Sequence, residues 1–93
     1  MKYLLLYNPY SGRSNFKNHL PYIVDKFKES NHELTIYESR APRDLEKYAS
    51  EQASFFDVFL VAGGDGTINE VVNGMMKSKI RPILAVLPGG TAN

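Results

Sequence analysis

Residues 61–74 read VAGGDGTINEVVNG, with Gly63, Gly64, Gly66 and the carboxylate of Asp65 set between an apolar run and a segment of helical spacing. The run Val58–Ala62 has strand length and no polar residue inside it. Beyond the glycines, Ile68, Val71, Val72, Met75 and Met76 fall at i, i+3, i+4, i+7 and i+8, the apolar stripe of an amphipathic helix. The glycines therefore occupy a strand-to-helix junction, where backbone N–H groups are unpaired and the helix dipole favours negative charge. Glycine, lacking Cβ, lets such donors approach a ligand closely, so the junction reads as a phosphate site.

The same alternation extends to both sides. Tyr3–Tyr7 is an apolar strand stopped by Asn8 and Pro9, and Phe16, Leu20, Ile23, Val24 and Phe27 make a helical face ending near Asn31, with Pro21 predicting a kink or a late start. Leu34 to Ile36 is a short strand, Ser39–Pro42 a turn, and Leu45, Tyr48, Ala49, Gln52 and Ala53 a second helical face. Ile83–Leu87 is a fourth strand, stopped by Pro88. Strand alternating with helix, with strands apolar on both faces, predicts an α/β fold of three layers, doubly wound on a mostly parallel sheet. In such sheets ligands bind beyond the carboxyl ends of the strands, which directs attention to NPYSG, ESRAP, GGDGT and PGGTAN.

Composition narrows the classes. The 93 residues suit one small domain burying roughly 60–65% of its unfolded surface. Eleven basic against ten acidic residues, a formal charge of +1, give no bulk field for nucleic acid or an anionic membrane, so any anion must be bound locally. There is no cysteine, hence no disulfide framework and no thiolate chemistry, which fits a cytoplasmic chain. The apolar start of MKYLLLYNPYSG is interrupted by Asn8 and Pro9, short of a signal peptide or a membrane span.

Within GGDGT, a carboxylate beside polyphosphate is repulsive unless a cation intervenes, so Asp65 points to Mg²⁺ shared with phosphate oxygens. The structural readings stand beside this one: Asp65 as helix N-cap, and Thr67 with Glu70 as a capping box. Neither requires three glycines. No Gly-Lys pair exists, which excludes a Walker A loop, and Asn69 stands where the dinucleotide fingerprint needs its third glycine. Arg13 and Lys17 lie near the start of the first helix, where a cation opposes the dipole unless an anion is bound. His19 and His32 lack metal-ligand spacing, and the six tyrosines and five phenylalanines fall mostly at core positions.

NPYSG, GGDGTINEVVNG and LPGGTAN, in this order and spacing, resemble the nucleotide-binding half of the diacylglycerol kinase family, bacterial lipid kinases related to sphingosine and ceramide kinases. The resemblance spans residues 1–93 and implies the amino-terminal domain shared with NAD kinases. A β-rich second domain, carrying the general base and the lipid pocket, is expected to follow in family members and is absent here. By resemblance, ATP is held by Asn8, Pro9, Tyr10, Ser11 and Gly12, by Gly64, Asp65, Gly66, Thr67, Ile68, Asn69 and Glu70, and by Thr91. Ser39, five residues before Asp44, corresponds to a family hydroxyl that is more often threonine, and Arg43 replaces the usual glycine before that aspartate. Asp65 is the implied catalytic and metal-binding residue. The implied reaction moves the γ-phosphoryl group of ATP to a lipid hydroxyl at the membrane surface, in a cytoplasmic protein with peripheral association at the inner membrane face left open, as is a homodimer, and with no nucleic-acid partner. Two alternatives remain: phosphorylation of a soluble dinucleotide in the manner of NAD kinase, and a nucleotide-binding module without activity of its own.

Overall fold

The computed structural model describes residues 1–9 and 16–87. Strands β1 (Lys2–Tyr7), β2 (Glu33–Glu38), β3 (Val58–Ala62) and β4 (Ile83–Leu87) form one sheet in the order β2-β1-β3-β4. Every neighbouring pair is parallel. Helices α1 (Leu20–Lys28), α2 (Asp44–Gln52) and α3 (Asp65–Met75) make the crossovers. The first crossover runs to one side of β1 and the next two to the other. Right-handed connections must then put α1 on one face and α2 with α3 on the opposite face. The three-layer, doubly wound expectation holds.

The alternation of side chains along each strand divides the core accordingly. Leu4, Leu6, Phe59 and Val61 pack with Leu45, Ala49 and Val71 on the α2/α3 side. Leu5, Tyr7, Val58, Leu60 and Ala62 pack with Phe16 and, less deeply, Leu20, Ile23 and Phe27 on the α1 side. Fully burying one such aliphatic or aromatic side chain stabilises by roughly 1.5–3 kcal/mol, and β1 and β3 carry most of them. The outer strands β2 and β4 are only partly covered, with Ile83 and Val86 exposed.

Local chemistry explains the element ends. Pro21 occupies the first turn of α1, where its missing N–H goes unneeded, and the four residues before α1, Phe16–His19, wind as a 3₁₀ turn. This is the late start expected from the sequence. Helix α2 ends in another 3₁₀ turn, Ala53–Phe55. Helix α3 departs from expectation, because it starts at Asp65 with Gly64 as its extended N-cap (φ −88°, ψ −167°) and no side-chain cap. The Ile68 N–H closes the first turn onto the Gly64 carbonyl at 3.1 Å. Thr67 is therefore inside the helix and buried, so it forms no capping box with Glu70, and Asp65 is not the N-cap.

Candidate functional site

The register brings the loops together. Tyr7 pairs with Glu38 on one side and Ala62 on the other, and Ala62 pairs with Leu87, so the four strands end in one row. Asn8, Ser39 and Gly63 thus leave the same carboxyl edge, and the strand order reverses between β1 and β3, the switch point where open α/β sheets bind ligands. A cleft of about 420 Å³ opens there, lined by Asn8, Ser39, Arg40, Ala41, Pro42 and Glu70.

The glycine loop has two distinct parts. Gly63 is buried at φ +149°, and a Cβ there would stand 2.7 Å from the Thr67 side chain, so the turn itself requires glycine. Gly64 and Gly66 are exposed, and a Cβ on either would meet nothing within 4 Å. Packing among the described residues leaves both unexplained, and Gly66 in the first turn of α3 lowers helix stability by roughly 0.5–1 kcal/mol relative to alanine. Open space over backbone donors at a helix start is what a phosphate group fills. Asp65 is exposed in the same turn, and its carboxylate has no hydrogen-bond or ion-pair partner among the described residues. A free carboxylate beside an anion site fits a hard divalent cation. No group of three or more metal-ligating side chains occurs among the described residues, so phosphate and water oxygens would have to complete any such shell.

The second loop is organised around Asp44. Its carboxylate accepts hydrogen bonds from Ser39 Oγ (2.6 Å), Arg40 N–H (2.7 Å) and Tyr37 OH (2.9 Å). Burial pushes the Asp44 carboxyl up, but these donors and a backbone hydrogen bond involving Ala41 bring it below the ordinary carboxylate range. Ser39 is buried, and its hydroxyl proton is held by Asp44, which leaves its lone pairs as the means of contacting a ligand. Arg43, next to Asp44, adopts the left-handed conformation at φ 69°, the only non-glycine among the described residues to do so.

Glu70 behaves differently. Burial, followed by the nearby Asp44 charge, raises its carboxyl above the ordinary value, against a lowering from the nearby Leu45 backbone. Its Oε1 is shut from solvent and has no hydrogen-bond partner among the described residues.

On the α1 side, the Tyr7 hydroxyl donates a short hydrogen bond to Glu38, and burial with that bond pushes the phenol up to about 12. Lys17 lies 3.4 Å from the same Glu38 carboxylate as an exposed pair, so its expected anion partner has a competitor within the chain. His32 faces the Met1 ammonium and the Tyr3 ring, a packing role, and His19 lies near Phe16.

Of the residues expected to bind ATP, Asn8, Ser39 and Glu70 share the cleft, and Gly64, Asp65 and Gly66 form the exposed turn on the neighbouring strand. Pro9 follows Asn8 in the turn after β1, Ile68 packs partly on the core, and Asn69 is exposed on α3. Thr67 is buried against Gly63. Tyr10, Ser11, Gly12 and Thr91, with Arg13, lie outside the described residues. Arg40, Ala41 and Pro42 line the cleft without having been singled out. Their signal in the sequence was position alone, the first residues after a strand in an α/β sheet.

Comparison with known proteins matches residues 2–93 to the diacylglycerol kinase catalytic domain. A diacylglycerol kinase of Bacillus subtilis (strain 168) is 44% identical over 90 residues, covering 96% of this chain and 30% of the relative. One from Staphylococcus aureus (strain MRSA252) is 40% identical over 93 residues, covering 96% and 29%. A crystal structure of a diacylglycerol kinase from Bacillus anthracis str. Sterne superposes with a TM-score of 0.81 at 40% identity, over 97% of this chain and 31% of that one. The chain thus spans about a third of the length of these relatives. With the domain model matching nearly every residue, the chain belongs to the diacylglycerol kinase catalytic-domain family.

Proposed function

We propose that this chain is the nucleotide-binding part of an ATP-dependent lipid kinase that phosphorylates a lipid hydroxyl such as that of diacylglycerol. The carrying observation is the exposed turn Gly64-Asp65-Gly66 at the switch point, where among the described residues neither glycine is required by packing and the carboxylate has no partner. Family membership supports the choice of ATP as donor and a lipid as acceptor.

In this reading the backbone N–H groups at the start of α3 hold the ATP phosphates, with Asn8, Pro9, Tyr10, Ser11, Gly12 and Thr91 completing the nucleotide site. Asp65 would hold Mg²⁺, which when bound neutralises charge on the phosphate oxygens. The acceptor oxygen attacks the γ-phosphorus, the bond from that phosphorus to the β-γ bridging oxygen breaks, and ADP leaves. The hydroxyl proton goes to a general base, which the family resemblance expects in the second domain. Positioning and charge neutralisation carry most of the catalysis in such transfers, which suits a site of backbone donors. The 93 residues alone bind nucleotide without full activity.

The test uses the full-length enzyme that contains this segment, with labelled ATP and diacylglycerol or NAD as acceptor. Label should enter the lipid, and Asp65→Ala should lower turnover by at least about 100-fold with an unchanged melting temperature. Transfer to NAD, or an Asp65→Ala enzyme that keeps most of its activity, would contradict the proposal.

A further inference from the structure

Tyr7 is the last residue of β1 and almost fully buried, with its ring 5.2 Å from that of Phe16. Phenylalanine would fill the same space, so packing accounts for the ring and not for the hydroxyl. That hydroxyl donates a short hydrogen bond to the carboxylate of Glu38, the last residue of β2. The two residues are partners in register, so both side chains leave the sheet on the α1 face. Burial, and then the Glu38 bond itself, push the phenol up to about 12, so at neutral pH it remains a donor. Lys17 Nζ stands 3.4 Å from the same carboxylate. An exposed pair of this kind adds little stability, but it balances a charge that would otherwise repel an anion at this edge of the sheet.

The bond lies where the cleft is most in need of support. Strand β2 is an edge strand, paired with β1 alone and only partly covered. The end of such a strand opens readily unless something holds it. Yet the residues that follow β2, Ser39 to Pro42, supply four of the six that line the cleft, and Asn8, which follows β1, supplies a fifth. The Ser39 N–H donates to the Tyr7 carbonyl at 2.9 Å, carrying the ladder one residue past the strands. The Tyr7–Glu38 bond joins the same two strand ends through their side chains, on the α1 face.

We infer that Tyr7 and Glu38 are positioning residues for the cleft: their side-chain bond fastens the end of β2 to the end of β1 and so fixes the spacing between Asn8 and the Ser39–Pro42 wall. Neither side chain lines the cleft itself. The inference rests on the nucleotide reading of that cleft, while the bond can be measured without ligand.

The test is a double-mutant cycle of Tyr7→Phe and Glu38→Met, read as the urea midpoint and, by calorimetry, as MgATP affinity. Substitutions that break one bond should not add, so each single variant and the double variant should all bind MgATP about tenfold more weakly than the unmodified chain. Independent effects would compound to about a hundredfold in the double variant. The shifts in urea midpoint should likewise fail to add. Glu38→Gln keeps an oxygen acceptor for the phenol and should stay within about threefold of the unmodified affinity. Should the methionine variant fail to fold, Glu38→Ala is read in the same way. Additive losses, an unchanged affinity in Tyr7→Phe, or equal losses in Glu38→Gln and Glu38→Met would overturn the positioning role alone. No MgATP binding by the unmodified chain would overturn the nucleotide reading and this role with it.

Discussion

Arg43 is held at φ 69° and ψ 2°, where its Cβ crowds the backbone at a penalty of roughly 1–2 kcal/mol. Glycine avoids that penalty but brings more unfolded-state entropy, so Arg43→Gly should stabilise the chain by roughly 0.5–1 kcal/mol and raise the melting temperature by about 2–8 °C. A lower melting temperature would mean that the arginine side chain contributes more than its backbone loses. The aspartate beside it sets a pH dependence. The Asp44 carboxyl lies below its ordinary value of 3.8 in the folded chain, so its stabilisation is present above that value and lost as pH falls through the folded one. Asp44→Asn should therefore destabilise the chain at neutral pH, and the gap to the unmodified chain should close in acid, as followed by circular dichroism melts. Glu70 has the opposite sign. Its raised carboxyl favours the fold below the ordinary value of 4.5 and opposes it as pH rises beyond that, so Glu70→Gln should be at least as stable as the unmodified chain at pH 7. Arg43, in place of a family glycine, was conspicuous in the sequence, whereas the opposite fates of two carboxylates were not, because both depend on neighbours contributed by other elements.

Elements were legible where apolar spacing was strong. The bounds of β3 are those of its apolar run, and Pro21 marked the delayed start of α1. The start of α3 was misread because Thr67 and Glu70 have capping-box spacing, while the helix begins three residues earlier with Gly64 as its cap. The spacing was real and its use was different: Thr67 packs on Gly63, and Glu70 lines the cleft. Gly74 closes the quoted stretch, and its meaning appears only once α2 lies against α3. Gly74→Ala would push a methyl group to 2.2 Å from the Glu46 carbonyl oxygen and 2.8 Å from Ala49 Cβ. The helices must separate, at roughly 1–3 kcal/mol, visible as a lower urea midpoint with the strand amides still protected. A variant as stable as the parent would show that the α2/α3 interface is softer than this packing implies.

At the scale of the whole molecule, alternating strands and helices were sufficient to anticipate a parallel, doubly wound sheet, and its carboxyl edge is where the candidate cleft lies. Strand order was not legible, since no local pattern says that β3 lies beside β1 and not beside β2. That order creates the switch point between β1 and β3, and it brings Asn8, Ser39 and Glu70 to one cleft beside the exposed glycines. A chain of formal charge +1 has no global field to collect an anion, so the proposed nucleotide binding would have to come from these few donors. Backbone amide shifts on titration with MgATP measure this most directly. The account predicts saturable shifts at Asn8, Arg40, Gly64, Asp65 and Gly66, with loss of affinity when Gly66→Val fills the open space. No shifts along that edge, or shifts confined to the apolar groove of Val24, Phe27 and Ile36 on the α1 face, would contradict it.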